Sequence, residues 1–205
     1  MLCKINPDNP SEKKIQKAVE CIQNGGIVIY PTDTVYAMGC DLTNKKSLGR
    51  IANIKGVKLK DAQFSIIVYD LSHLSKYAKH VSTHTYKLLK RILPGPYTVI
   101  LKATNKIPKL FTKKKKTIGM RIPDNKIIRE VAKQLQHPIA STSINDEEVE
   151  YTINAELMFE KYNHLVDMVI DGGLGMTVPS TIINCIDDSK YIIEREGKGS
   201  TNNIY

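Results

Sequence analysis

Residues 27–41 read IVIYPTDTVYAMGCD, and how this stretch is taken decides the architecture. Ile27-Val28-Ile29-Tyr30 is a short β-branched run, the composition of a buried strand. The residues that follow are polar. Pro31, Thr32, Asp33 and Thr34 set a turn former, two hydroxyls and a carboxylate directly behind the strand. Sheets of the α/β class present ligand sites where strands stop and loops begin.

The flanking sequence supports that class. Upstream, Ser11 is placed to cap a helix in which Ile15, Ala18, Val19 and Ile22 share one face, and Gly25-Gly26 can end it. Downstream, apolar spacing predicts a helix over 44–55, a buried strand over 64–70, and helices over 72–79 and 82–93. Pro94-Gly95-Pro96 forces a turn, because proline cannot continue a helix. Strands follow at 97–103 and 117–123, then a helix over 124–136 with Asp124 as its cap. HPIASTS reads as a strand running into a loop, and 153–163 as a weak helix. VDMVIDGG, STIINCID and YIIERE supply the last strands. Helices alternate with strands for most of the chain and the last third is strand-rich, which predicts an α/β sandwich around a mixed sheet. No repeat, low-complexity segment or linker interrupts the 205 residues, so 1–205 reads as one domain.

Composition narrows the function. No apolar run reaches the roughly 18 residues of a membrane span, and the N-terminal residues lack the apolar core of a signal peptide; a cytoplasmic location is expected. Cys3, Cys21, Cys40 and Cys185 are scattered, without a CxxC pair or Cys/His cluster, and read as reduced thiols rather than a metal site. The five histidines are equally dispersed and read as surface or capping residues. A net charge of +9 attracts polyanions, nucleotide phosphates and RNA among them. Its densest cluster is Lys113–Lys116, either a solvated loop or a phosphate contact.

Polar side chains recur at strand ends. Thr117 and Arg121 flank Ile118-Gly119-Met120; Ser141, Thr142, Ser143 and Asn145 follow Pro138-Ile139-Ala140; Ser180-Thr181 follow a glycine-bearing loop; Arg195 closes Tyr191-Ile192-Ile193. A hydroxyl at a strand end ordinarily makes a local turn bond. Several such ends in one sheet, with two arginines among them, suit a site for a carboxylate and phosphates, because guanidinium grips an oxyanion in two-pronged fashion. The chain contains no GxSxG elbow, no GxxxxGK[ST] phosphate loop and no HExxH. Chemistry by positioning and charge neutralisation fits better than covalent or acid–base catalysis.

These clusters carry a resemblance. YPTDTVYAMGCD is similar to the YPT[DE]TVYGLG signature of the YrdC/TsaC-like family, the threonylcarbamoyl-AMP synthases. PGPYTVIL resembles its PGPxTxxL, IGMRIPDN its VRxPxH, STSIN its SxN element, DGGLGMTVPSTI its DGG…ESTV stretch, and REG its RxG. Six matches in order span about residues 12–197. The family fold is a twisted mixed parallel/antiparallel sheet flanked by helices, with a basic concave groove. The implied reaction joins L-threonine, bicarbonate and ATP into threonylcarbamoyl-AMP and pyrophosphate, for the t6A modification of tRNA. Carried over by position, Thr34, Arg121 and Ser180 would hold threonine, with Arg121 on its carboxylate. Thr117, Ser141, Ser143, Asn145 and Arg195 would hold the nucleotide, Lys55 would meet phosphates, and Mg²⁺ would accompany ATP. The resemblance makes Lys55, Arg121, Ser143 and Asn145 the catalytic set.

Two departures stand out. The family's KxR element reads Lys55-Gly56-Val57, so a valine replaces the arginine, and Val68 aligns with a family histidine. Losing a charged hydrogen bond to a phosphate weakens nucleotide binding by ~1–3 kcal/mol; Lys58 or Lys60 could compensate only as point charges. With FSIIVYDLSHLSKYA, these features resemble the YciO-type branch. Two function classes stay open: a threonylcarbamoyl-AMP synthase, and a module binding double-stranded RNA or tRNA through its basic groove with residual nucleotide binding.

Overall fold

The structure, a computed structural model, describes residues 1–111, 116–144 and 146–204. Lys113–Lys115 of the basic cluster and Asn145 of the expected site lie outside the described residues. The strands are β1 (Leu2–Lys4), β2 (Val28–Tyr30), β3 (Ala37–Asp41), β4 (Ser65–Ile67), β5 (Tyr97–Lys102), β6 (Thr117–Arg121), β7 (Ile139–Ser143), β8 (Met168–Asp171), β9 (Thr181–Asn184) and β10 (Ile192–Arg195). They form one sheet in the order β1-β8-β2-β3-β7-β4-β6-β5-β9-β10. Pairs β1·β8, β2·β8, β4·β6 and β5·β9 are parallel and the other five antiparallel. The expected mixed sheet is therefore present. No helix among the described residues is long and apolar enough to cross a membrane.

The helices are α1 (Glu12–Gln23), α2 (Lys45–Ile54), α3 (Leu71–Ser75), α4 (Thr83–Ile92), α5 (Lys126–Leu135), α6 (Glu150–Ile153) and α7 (Ala155–Tyr162). In α1 the face Ile15, Ala18, Val19 and Ile22 is buried, as its spacing predicts. Three local expectations are corrected. Ser11 occupies the cap position of α1 but its side chain makes no capping bond. Asn125, not Asp124, caps α5, because the helix starts one residue later and the Asn125 carboxamide oxygen accepts from Ile128 N at 3.2 Å. The helix expected over 72–79 is the short α3, started by Asp70, whose carboxylate accepts from His73 N.

Alternation along each strand separates the two faces of the sheet. Ile27, Ile29, Met38, Cys40, Ile66, Val68, Ala140 and Val169 point to one side, where α2, α4 and α7 complete an apolar core. Val28, Tyr30, Ile67, Ile139, Met168 and Ile170 point to the other, where they pack with α1 and α5. On this second face the character changes partway across the sheet. Beyond Ile67 and Ile139 the same pleat carries Ser65, Ser141, Ser143, Gly119, Arg121 and Thr98. These residues line a cavity of about 600 Å³ instead of packing under a helix.

Candidate functional site

The cavity begins with the loop that opened the reading. Thr32 fixes it locally: its hydroxyl donates to Val35 O at 2.7 Å and accepts from Thr34 N at 3.0 Å, a side-chain turn that holds 32–35 in one shape. Tyr36 then ties the loop to the segment after β8. Its hydroxyl donates to Gly173 O at 2.7 Å and accepts from Gly172 N at 3.2 Å. Gly172 is required there, since a Cβ would stand 2.7 Å from the Pro31 ring. Burial pushes the Tyr36 phenol up to about 12, so it serves as a neutral tie.

Arg121, at the end of β6, turns into this loop. Its Nη2 donates to Thr34 Oγ1 at 2.7 Å, to Thr32 Oγ1 at 3.2 Å and to Asp33 Oδ1 at 2.5 Å. The Arg121 and Asp33 side chains are 7% and 8% exposed, so this is a buried ion pair rather than a surface one. Lys198 Nζ donates to Asp33 O at 2.7 Å and brings the C-terminal segment over the same loop. Thr34 is wholly buried behind Arg121 and does not line the cavity, whereas Arg121 does.

Hydroxyls and a second arginine make the adjoining wall. Ser180 Oγ lies 2.9 Å from Thr98 Oγ1. Arg195 donates to Ser180 O through Nε at 3.2 Å and Nη2 at 2.8 Å. Its pKa is lowered, by burial first and then by the positive charge of Arg121. Gly197 permits this packing, because a Cβ would fall 2.3 Å from Pro179 O. The Arg-x-Gly spacing thus has a local cause: the arginine braces the backbone at Ser180 and the glycine clears it.

Ser141 is held from beneath. Tyr30 OH donates to Ser141 Oγ at 2.5 Å, and burial raises the Tyr30 pKa well above its ordinary value. Gly39, opposite Ser141 in β3, leaves room for this bond; a Cβ there would meet the Tyr30 hydroxyl at 3.0 Å and Ala140 O at 2.6 Å. Tyr30 and Tyr36 are accordingly packing residues of the site's floor and hinge. Ser143 lines the cavity two residues on.

The remaining wall comes from the end of α2. Gly56 has φ +66°, Val57 N donates to Ala52 O at 3.0 Å, and Gly56 N donates to Asn53 O at 2.9 Å. This is the paired exit bonding in which a left-handed glycine closes a helix. It swings Lys55 back over the sheet, where Nζ donates to Ser143 O at 3.1 Å, and burial lowers its pKa. Val57 also lines the cavity, 40% exposed, with Asp61 and Phe64 nearby along the rim.

Of the residues expected from sequence, Lys55, Arg121, Ser141, Ser143, Ser180 and Arg195 meet in this one cavity. Thr34 stands behind Arg121. Thr117 shares the sheet face of Gly119 and Arg121 but sits at the far end of β6, outside the lining. Sequence reasoning assigned no role to Asp33, Thr98 or Lys198. Thr98 lies inside the quoted PGPYTVIL motif and Asp33 inside YPTDTVYAMGCD, which were their available signals; Lys198 had none, since its partner is distant in the chain. The reading of the histidines is corrected for His73, which is fully buried between Tyr69, stacked at 4.3 Å, and Tyr77. Among the described residues no group of three or more His, Cys, Asp or Glu side chains could hold a metal ion.

The sequence and the fold both have relatives among known proteins. A family model described as "Telomere recombination", Sua5/YciO/YrdC, matches residues 20–197. YciO of Escherichia coli is 39% identical over 198 residues, covering 95% of this chain and 94% of its own. Its crystal structure superposes with a TM-score of 0.91 at 36% identity, over 100% of this chain and 99% of that one. A putative threonylcarbamoyl-AMP synthase of Methanocaldococcus jannaschii is 37% identical over 201 residues, 96% of this chain and 92% of its own. The crystal structure of Pyrococcus abyssi Sua5 complexed with L-threonine matches with a TM-score of 0.86 at 26% identity, over 96% of this chain and 57% of that one. Fold, cavity and sequence together place the chain in the Sua5/YciO/YrdC family.

Proposed function

We propose that the chain is a threonylcarbamoyl-AMP synthase-like enzyme that uses L-threonine, bicarbonate and ATP to form threonylcarbamoyl-AMP, pyrophosphate and water. The product would supply the t6A modification of tRNA. The observation that carries this reading is the convergence of Lys55, Arg121 and Arg195 with Ser141, Ser143 and Ser180 around one cavity. Such a set can hold an amino acid and a nucleotide side by side, which is what adenylation requires. The P. abyssi Sua5 complex with L-threonine supports the amino-acid half.

In this reading Arg121 pairs with the threonine carboxylate, Ser180 orients threonine, and Thr34 acts through Arg121. Ser141, Ser143, Asn145 and Arg195 hold the nucleotide and Lys55 meets its phosphates, while Thr117, outside the cavity lining, is given no contact with it. Mg²⁺ enters as part of the ATP substrate. The threonine amine and bicarbonate form a carbamate with loss of water. A carbamate oxygen attacks the α-phosphorus, and the bond to pyrophosphate breaks. Negative charge builds on phosphate oxygens, where Lys55 and Arg195 offset it without a covalent enzyme intermediate. The test is pyrophosphate release that requires threonine, bicarbonate and ATP together; release absent from folded protein under all three rejects the reading.

A second reading has its own observation. Val57 occupies the phosphate-side rim, and the chain carries a net charge of +9. A basic surface with a weakened triphosphate grip suits RNA bound through phosphates and shape. That reading expects duplex RNA or tRNA affinity that falls steeply with salt, and salt-insensitive binding contradicts it.

A further inference from the structure

Arg121 and Asp33 hold each other by half of what they could. All three hydrogen bonds of Arg121 leave from Nη2. Among the described residues its Nε is buried without a partner, and so is Asp33 Oδ2. In a guanidinium, Nε and Nη2 share one edge, and a carboxylate that lies along that edge takes both N–H groups in a two-pronged pair. Here Oδ1 has engaged Nη2, while the second prong, Nε to Oδ2, is unmade within a pair that is more than nine-tenths buried. Buried polar groups left unpaired are uncommon and mark a place where something remains to be completed.

The other end of the guanidinium belongs to the cavity, which Arg121 lines. A guanidinium has five N–H donors, and with Nη2 given to the loop, Nη1 keeps its own two for a ligand. Asp33 is itself fixed from the far side, where Lys198 binds its carbonyl and Thr32 and Thr34 flank it. The Nη2 side of the guanidinium is therefore anchored to the loop, and Nη1, which makes no hydrogen bond among the described residues, is left to a ligand.

We propose that Asp33 is a positioning residue for amino-acid recognition: it holds Arg121 from the Nη2 side so that Nη1 meets the ligand's α-carboxylate, and ligand binding closes the unmade Nε–Oδ2 bond. This rests on the reading of the cavity as a threonine site. It makes Asp33 part of the substrate's grip although it does not touch the substrate. Asp33 also leaves the Arg121 end electrically near neutral, so the ligand carboxylate is selected by where Nη1 is held more than by bare charge.

The opposite role would be competition, in which Asp33 occupies Arg121 and must be displaced. The two roles predict opposite signs. L-Threonine titrated calorimetrically into the full chain and into Asp33→Asn and Asp33→Glu separates them. The proposal expects Asp33→Asn to weaken threonine binding about tenfold or more, the scale of one charge-assisted hydrogen bond, with Asp33→Glu restoring most of it. In steady-state assays the KM for threonine rises in Asp33→Asn while kcat and the KM for ATP stay within about twofold. Unchanged or tighter threonine binding in a folded Asp33→Asn overturns the proposal and leaves the threonine site standing. Absence of threonine binding to the unaltered chain overturns both. Should Asp33→Asn fail to fold, the arginine Nε–H resonance of Arg121 in the unaltered chain decides: threonine is expected to shift it to a hydrogen-bonded position, and an unmoved resonance with threonine bound contradicts the proposal.

Discussion

The two ends of the cavity are built differently. At one end Arg121 is enclosed by Thr32, Asp33 and Thr34, with Lys198 behind them and Tyr36 tying the loop to Gly172 and Gly173. At the other, Lys55 makes one bond to a carbonyl, and Val57 stands exposed where the family motif has an arginine. The first end is over-determined: several bonds fix one guanidinium. The second follows mainly from a helix exit, in which Gly56 sets the turn and an apolar residue after it is the usual companion of that motif. A residue can thus satisfy the local cap while removing a phosphate ligand. In the proposed synthase reading, the amino-acid half of the site is the more firmly held, and the phosphate half is where the reaction is expected to be limited.

Substitutions at the two ends should separate these roles. Arg121→Ala is expected to have the largest effect: threonine-dependent pyrophosphate release falls at least about 100-fold, the scale of losing the group that positions a reactant. It also leaves Asp33 buried without its cation, so stability drops by about 3–5 kcal/mol in a denaturant titration. A well-folded, active Arg121→Ala would remove the contrast altogether. Lys55→Ala comes next, with about a tenfold loss expressed in the KM for ATP, the worth of one charged hydrogen bond; an equal effect on threonine would show the two ends are not separable. Val57→Arg runs the other way. A guanidinium on the phosphate side is expected to raise kcat/KM for ATP by about tenfold, and an unchanged rate would move the limitation elsewhere. Tyr30→Phe is smaller. Removing the hydroxyl beneath Ser141 costs about 1 kcal/mol of stability, with a modest rise in the KM for ATP and none in that for threonine.

The smallest prediction lies outside the cavity and serves as a control. His73 is buried among Tyr69 and Tyr77, and neither ring nitrogen finds a well-formed hydrogen bond among the described residues. Burial, reinforced by Lys76, pushes its imidazole down from 6.5 to about 4. Between those values the unfolded chain takes up a proton that the folded chain refuses, so this contribution to stability is complete above about pH 6.5 and is lost as the pH falls towards 4. His73→Phe should flatten that part of the pH–stability curve while pyrophosphate release at neutral pH is unaffected. An identical acid slope in the variant assigns the acid sensitivity to other groups.

Much of the molecule was legible in the chain, and the exceptions have physical causes. The face of α1, the strand at 117–121 and the polar ends at Ser141, Ser180 and Arg195 follow from spacing alone. Strand β3 was not, because Ala37-Met38-Gly39-Cys40-Asp41 lacks β-branched residues; it is a strand because β2 and β7 pair with it on both sides. Strand β1 is only three residues long and exists through its parallel pairing with β8. The Asp33–Arg121 pair joins positions 88 residues apart, and no local pattern announces it. The burial of His73 arises from tertiary packing that a dispersed histidine does not advertise. What sequence periodicity conveys is which face a residue takes; which distant partner it finds there depends on strand order.

The central claim is that this cavity joins threonine, carbonate carbon and adenylate. Incubating the folded chain with L-threonine, ¹³C-labelled bicarbonate and ATP, and weighing the nucleotide products by mass spectrometry, tests it directly. The account predicts threonylcarbamoyl-AMP one mass unit heavier than the unlabelled compound, formed only when all three substrates are present and lost in Arg121→Ala. Labelled product absent from the unaltered chain, or formed equally well by Arg121→Ala, would contradict it.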